Sequence, residues 1–306
     1  MSIIRIDPAF DALVSRDAQI EKVADGFIFT EGPIWRPSGV LWFSDVVGNV
    51  VRQWSPDGTV KELLRPGGYD GNTLPPGFIG PNGMTAAPNG DVLLCQHGNR
   101  RIVRMTNDLR VTTFVDAFDG ARLNAPNDLV FRTDGTLFFT DPPYGLPLQD
   151  EDPEKDIPFN GVFKMKDGKV EAIIKDLTRP NGICFSPDEK TLYVSNSDPA
   201  RRIWMRYDID ASGNVSNGRL FFDTTNHADA GLPDGMKVDV RGNMWATGPS
   251  AVFVFSPEGT HLGTIKPPED PANCAWGDDG KTLYITAETG LYRIKTSVMG
   301  QKLVYS

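Results

Sequence analysis

Histidine and cysteine are scarce in this 306-residue chain, with three of each, and the scarcity removes whole classes of chemistry. His97, His227 and His261 form neither HExxH nor any pair at zinc-ligand spacing, which excludes a histidine-built zinc centre. No GxSxG elbow occurs, which argues against a serine hydrolase. Cys95, Cys184 and Cys274 stand far apart without CxxC spacing, each in an apolar run, and are expected to be buried free thiols. No window approaches eighteen uninterrupted apolar residues, and the opening MSIIRIDPAFDALV has no basic stretch leading into an apolar core and cleavage site. The expectation is a cytoplasmic protein with no membrane partner. Positive charge is also short: 31 Lys and Arg face 40 Asp and Glu, for a net charge of −9. Such a field repels phosphate backbones, so nucleic acid is not an expected partner.

Turn formers are plentiful instead, with 31 Gly and 24 Pro, and they punctuate a repeat. Six segments align on a turn followed by a β-rich run: EGPIWRPSGVLWFSD from 31, NGMTAAPNGDVLLCQH from 82, NDLVFRTDGTLFFTD from 127, NGICFSPDEKTLYVSN from 181, DGMKVDVRGNMWATG from 234 and ANCAWGDDGKTLYITA from 272. In four copies the opening residue precedes the turn glycine by eight positions, as from Glu31 to Gly39; the fourth carries one extra turn residue, and the sixth fits only if Ala272 opens it. Each copy continues into a second hairpin around turns of the Asp-Gly type, and no long 3.6-residue periodicity intervenes. Six four-stranded antiparallel units predict an all-β, six-bladed β-propeller forming a single domain over 1–306. The last copy supplies three strands only, so a terminus must complete it: AQIEKVA at 18–24 is the candidate and the C-terminal KLVYS its competitor.

In a propeller the first strand of each blade lines the central channel, so Glu31, Asn82, Asn127, Asn181 and Asp234 should converge at one face. Two carboxylates and three amides make a hard oxygen cluster suited to Ca²⁺, Mn²⁺ or Mg²⁺. Any one of the Asn-Gly or Asp-Gly pairs is accounted for by turn chemistry alone. Glu31 is not, because glutamate is a poor turn former and FTEGPIW offers it no partner.

These segments, with PNDLVF, FTDPPYG, RPNGICFSPDEKTLYVSNS and LPDGMKVD, resemble the senescence marker protein (regucalcin) and gluconolactonase group of six-bladed propellers over about residues 25–296, in its bacterial gluconolactonase-like branch. The resemblance implies that Glu31, Asn181 and Asp234 are protein ligands of one divalent ion, calcium first, with zinc, manganese or magnesium as alternatives. It places Asn127 at the substrate side of that ion, and it implies hydrolysis of a small sugar lactone. Ala125 departs from the arginine of the regucalcin branch, so that branch's sugar contacts do not carry over. The chemistry makes Asp234 the expected general base, with Glu31 as alternative. Asn82, His97 and Tyr144 are candidate substrate contacts, His97 because it ends the second strand of its blade and Tyr144 because it sits in a loop on the same side. The long insertions before Asn82, after Asp141 and before Asp234 map to that face and suggest a binding rim. Two rivals stay open: a paraoxonase-like or organophosphate-hydrolysing propeller, and a non-enzymatic metal-binding platform. Monomer and homodimer are both compatible with the sequence.

Overall fold

The computed structural model describes residues 1–73 and 75–306. Among them six antiparallel blade sheets follow one another along the chain, each running from an inner strand outward, with a small two-stranded pair, Ala117–Phe118 with Ala121–Arg122, between the second and the third. Blade 1 spans 30–64, blade 2 81–115, blade 3 129–174, blade 4 180–223, blade 5 236–266 and blade 6 271–295. Blade 6 has three strands of its own, and Ile20–Asp25 pairs with Gly290–Lys295 as the fourth. Blade 5 gains a fifth strand that the repeat does not announce, Ser2–Arg5 along His261–Lys266. The short 3₁₀ turn behind it, Pro8–Ala12, sinks Phe10 completely into the interface of blades 5 and 6.

Burial follows the radius. The inner strands Thr30–Arg36 and Pro81–Ala86 are buried almost throughout, whereas the outer strand Val60–Leu64 is half-buried. An inner strand is flanked by two neighbouring blades and cannot alternate cleanly between core and water. Six apolar clusters fill the six gaps between consecutive blades, including the gap between blades 6 and 1 that closes the ring around Leu41, Phe43, Tyr284 and Leu291. Each fully buried Leu, Phe or Ile in these gaps contributes about 1.5–3 kcal/mol, so the ring rests on many comparable increments. The three thiols are free and buried here, as the sequence leads one to expect.

A recurrent hydroxyl latch ties neighbouring blades at the axis. Ser44 Oγ donates to the Asn82 carbonyl at 2.7 Å, Thr140 Oγ1 to that of Asn181 at 2.7 Å and Thr247 Oγ1 to that of Ala272 at 2.8 Å. Each donor lies on the second strand of one blade and each acceptor opens the next. Gly83 N donating to Asn127 O, and Gly235 N to Ala272 O, both at 2.8 Å, show that Ala272 opens blade 6. The C-terminal residues do not join a blade edge. Gly300 bridges to Asp239, Gln301 N reaches Val238 O at 3.0 Å, and Tyr305 packs edge-on against Phe131 at 5.0 Å. The tail thus crosses from blade 5 to blade 3 beneath the channel.

Candidate active site

The inner strands carry a bulge where they open. Register shifts fall between Glu31 and Ile34, Pro81 and Met84, Pro180 and Ile183, and Pro271 and Asn273. A bulge re-aims a side chain, and here it turns the opening residues toward the axis. Blades 3 and 5 reach the same geometry just ahead of their first strands: Asn127 N and Asp234 N donate to the carbonyls of Thr140 and Thr247, at 2.9 and 3.0 Å.

The seven residues singled out in the sequence, Glu31, Asn82, His97, Asn127, Tyr144, Asn181 and Asp234, all line one cavity of about 280 Å³. Its wall is completed by Phe29, Phe78, Ser197, Leu232 and Pro271, with Asp270 and Glu288 also present. Phe78, Tyr144 and Leu232 come from the three long insertions. Two other cavities, of about 300 and 470 Å³, lie at the opposite end beside the C-terminal tail and contain none of these seven side chains. His227 and His261 stay outside the cavity. His227 packs on Phe253 at 5.7 Å, and His261 Nε2 lies 2.9 Å from Thr264 Oγ1.

The amides form a chain. Asn82 Nδ2 donates to Asn127 Oδ1 at 3.1 Å, and Asn127 Nδ2 donates to Asn181 Oδ1. His97 lies between this chain and the rim, with Nδ1 2.9 Å from the Phe78 carbonyl and Nε2 3.1 Å from Asn127 Oδ1, and a neutral ring donates its single N–H to one of these two oxygens. Burial lowers the His97 pKa to about 4, so the ring is neutral near pH 7.

A layer that the repeat alignment passes over lies one residue further along the inner strands. Four blades place Gly32, Gly83, Gly182 and Gly235 there, and the other two place Asp128 and Asn273. The glycines permit close approach: a Cβ on Gly32 would stand 2.1 Å from Asn82 O, and one on Gly182 2.3 Å from Asp234 O. Asn273 Nδ2 donates to Glu31 Oε2 at 3.0 Å, and Lys237 Nζ donates to Asn273 Oδ1 at 3.4 Å. The only sequence signal for Asp128 and Asn273 was adjacency to an opening residue. Lys237 had none beyond its place three residues after Asp234.

Electrostatics mark the layer as unbalanced. Burial, reinforced by Asp128, pushes the Glu31 carboxyl up to about 7. Burial, followed by Glu31 and Asp128, drives Asp234 well above the ordinary carboxylate range. Burial alone would lower the Lys237 pKa, but Asp128 and its other acidic neighbours outweigh it and raise it. Asp234 Oδ1, Asn82 Oδ1, Asp128 Oδ2 and the Tyr144 hydroxyl are buried without a hydrogen-bond partner. With all three carboxyls ionised against one ammonium, two negative charges would remain to be met, a deficit that a single dication matches.

Comparison with known proteins agrees with this architecture. The family described as SMP-30/Gluconolactonase/LRE-like region matches residues 29–289. A gluconolactonase of Zymomonas mobilis is 38% identical over 97% of this chain and 87% of its own. The solved structure of a Xanthomonas campestris gluconolactonase superposes with a TM-score of 0.84 at 31% identity, covering 97% of this chain and 95% of that one. A calcium-binding regucalcin from Agrobacterium tumefaciens shares the fold, with a TM-score of 0.73 at 17% identity over 94% of this chain and 98% of that one. The repeat, the bulged inner strands and the oxygen-lined axis are therefore those of a member of the SMP-30/gluconolactonase family, to which this chain belongs.

Proposed function

We propose that this protein, acting as a single propeller domain, hydrolyses a small sugar lactone such as gluconolactone to the aldonic acid with the help of one divalent cation. The observation that carries the reading is the meeting of Glu31, Asn181 and Asp234 in one cavity, two of them carboxylates that their surroundings make costly to ionise. The donor set fits a hard cation, with Glu31, Asn181 and Asp234 as its ligands, calcium the first candidate and zinc, manganese or magnesium the alternatives. The calcium-binding regucalcin of the same fold supports a divalent ion of this kind. Such an ion, when bound, would supply Lewis-acid polarisation of the lactone carbonyl and stabilisation of the negative charge that develops on its oxygen.

The chain's own groups do the rest. Asp234 keeps one carboxylate oxygen free of protein partners and serves as general base toward the attacking water. Asn127, held by both Asn82 and His97, presents a fixed amide to the substrate. The Tyr144 hydroxyl and Asn82 Oδ1 offer unspent hydrogen-bonding capacity to sugar hydroxyls. Phe29, Phe78 and Leu232 shield the ring from bulk water.

The test is a lactone panel assayed by proton release after chelation and re-addition of single metals. Glucono-, galactono- or xylonolactone should be turned over only with a dication present, and Asp234→Asn should lose about 10²–10⁴-fold in kcat while remaining folded. Metal-independent turnover, or an undiminished rate in the variant, refutes this assignment. Two tightly held ions per chain by elemental analysis would instead favour the paraoxonase-like alternative.

A further inference from the structure

We infer that the mouth of this cavity admits an uncharged lactone and expels the anionic product, with Asp270 and Glu288 as the specificity-determining residues; the inference rests on the lactonase reading above. Both line the cavity, Asp270 half-buried before the inner strand of blade 6 and Glu288 exposed on the turn after its second strand. Among the described residues neither belongs to an ion pair, whereas the adjacent Glu269 lies 3.6 Å from Lys22. Burial, then the neighbouring Asp270 and Glu269, raises the Glu288 pKa.

No lysine or arginine lines the cavity among the described residues. Two nearby cations are paired with acids and a third is held by backbone carbonyls. Arg179 pairs with Asp150, Lys266 lies 2.6 Å from Asp229, and Arg202 caps the Asp229 and Gly231 carbonyls at 3.2 and 3.5 Å. The floor differs in kind from the mouth: beside the Glu31 and Asp234 carboxylates it includes Asn82, only 5% exposed, whose Oδ1 has no hydrogen-bond partner, and Tyr144, whose hydroxyl has none either. With the Glu31 and Asp234 charges met by the proposed cation, the neutral amide and hydroxyl within and the unpaired carboxylates at the mouth fit a polyhydroxylated ligand without charge.

The reaction itself changes that charge. Water adds OH to the acyl carbon, the ring C–O bond breaks, the former ring oxygen takes a proton, and the resulting acid releases its own. A neutral molecule enters and an anion plus a proton leaves. The rim therefore disfavours a negatively charged lactone on entry and favours departure of the aldonate.

The experiment compares glucono-1,5-lactone with its 6-phosphate ester. At low ionic strength kcat/KM should favour the neutral lactone by about tenfold or more, and the ratio should narrow as salt approaches about 0.5 M. In Asp270→Asn/Glu288→Gln the phosphate-to-neutral ratio should rise and inhibition by gluconate should strengthen. Comparable turnover of both lactones by the native protein, or a ratio indifferent to salt, overturns this inference alone. So does a double variant in which neither the ratio nor gluconate inhibition changes. Absence of turnover of either lactone overturns the lactonase reading and this inference with it. The salt series needs only the native chain, so misfolding of the variant does not shelter the idea.

Discussion

His97 illustrates how one buried side chain ties stability to the site. Its ring is 1% exposed and its pKa falls from 6.5 to about 4 because burial penalises the imidazolium. The unfolded chain therefore takes up a proton near pH 6.5 that the folded chain refuses until about pH 4, and stability is complete above that window and lost as pH falls through it. Between pH 6.5 and 5 the loss from this group should be about 1.5 kcal/mol. Urea unfolding across that range measures it, and His97→Gln should show a shallower pH dependence; identical slopes would mean that His97 is not the titrating group. The same residue was legible as a site candidate because it ends a second strand, a position that the propeller brings beside an opening residue. Lys237 was not legible, since a lysine in an inner strand signals nothing until blades 3 and 6 place Asp128 and Asn273 around it.

At the scale of the element, the inner strand does two jobs that constrain each other. Its bulge aims the opening side chain at the axis, and the following glycine lets the next blade's backbone come close. Gly182→Ala tests the second job: a Cβ 2.3 Å from the Asp234 carbonyl oxygen and 2.9 Å from Gly235 Cα must push blade 5 outward. The expected cost is about 1–3 kcal/mol of stability, with a fall in kcat because Asp234 moves. Equal urea midpoints for variant and parent would show that the approach is not tight. The repeat announced the strands and the eight-residue spacing. It did not announce the bulges, which depend on pairing with the second strand, nor the hydroxyl latch of Ser44, Thr140 and Thr247, whose acceptors belong to the next blade.

Across the whole molecule, ring closure is shared by both termini in different ways. Ile20–Asp25 supplies the outer strand of blade 6, and the tail lies under the channel with Leu303 against blades 1 and 2 and Val304 and Tyr305 against blades 2 and 3. Removing residues 299–306 should lower unfolding stability by about 2–4 kcal/mol, given three partly buried apolar side chains. Lactone turnover should persist below the new midpoint, because the tail and the carboxylates occupy opposite ends of the channel; loss of turnover in folded, truncated protein would couple the two ends. No helix among the described residues is long and apolar enough to cross a membrane. What the sequence determined by itself is whatever repeats locally: six turn-and-strand units, hence a six-bladed propeller, and the oxygen-bearing residue that opens five of its blades. What only the tertiary structure decided is how those residues meet. Charge balance among Glu31, Asp128, Asp234 and Lys237, the grip of His97 on Asn127, and the unpaired acids at the rim all arise between blades. Such contacts join positions tens to hundreds of residues apart, and their energies depend on burial that no single segment possesses before the ring closes.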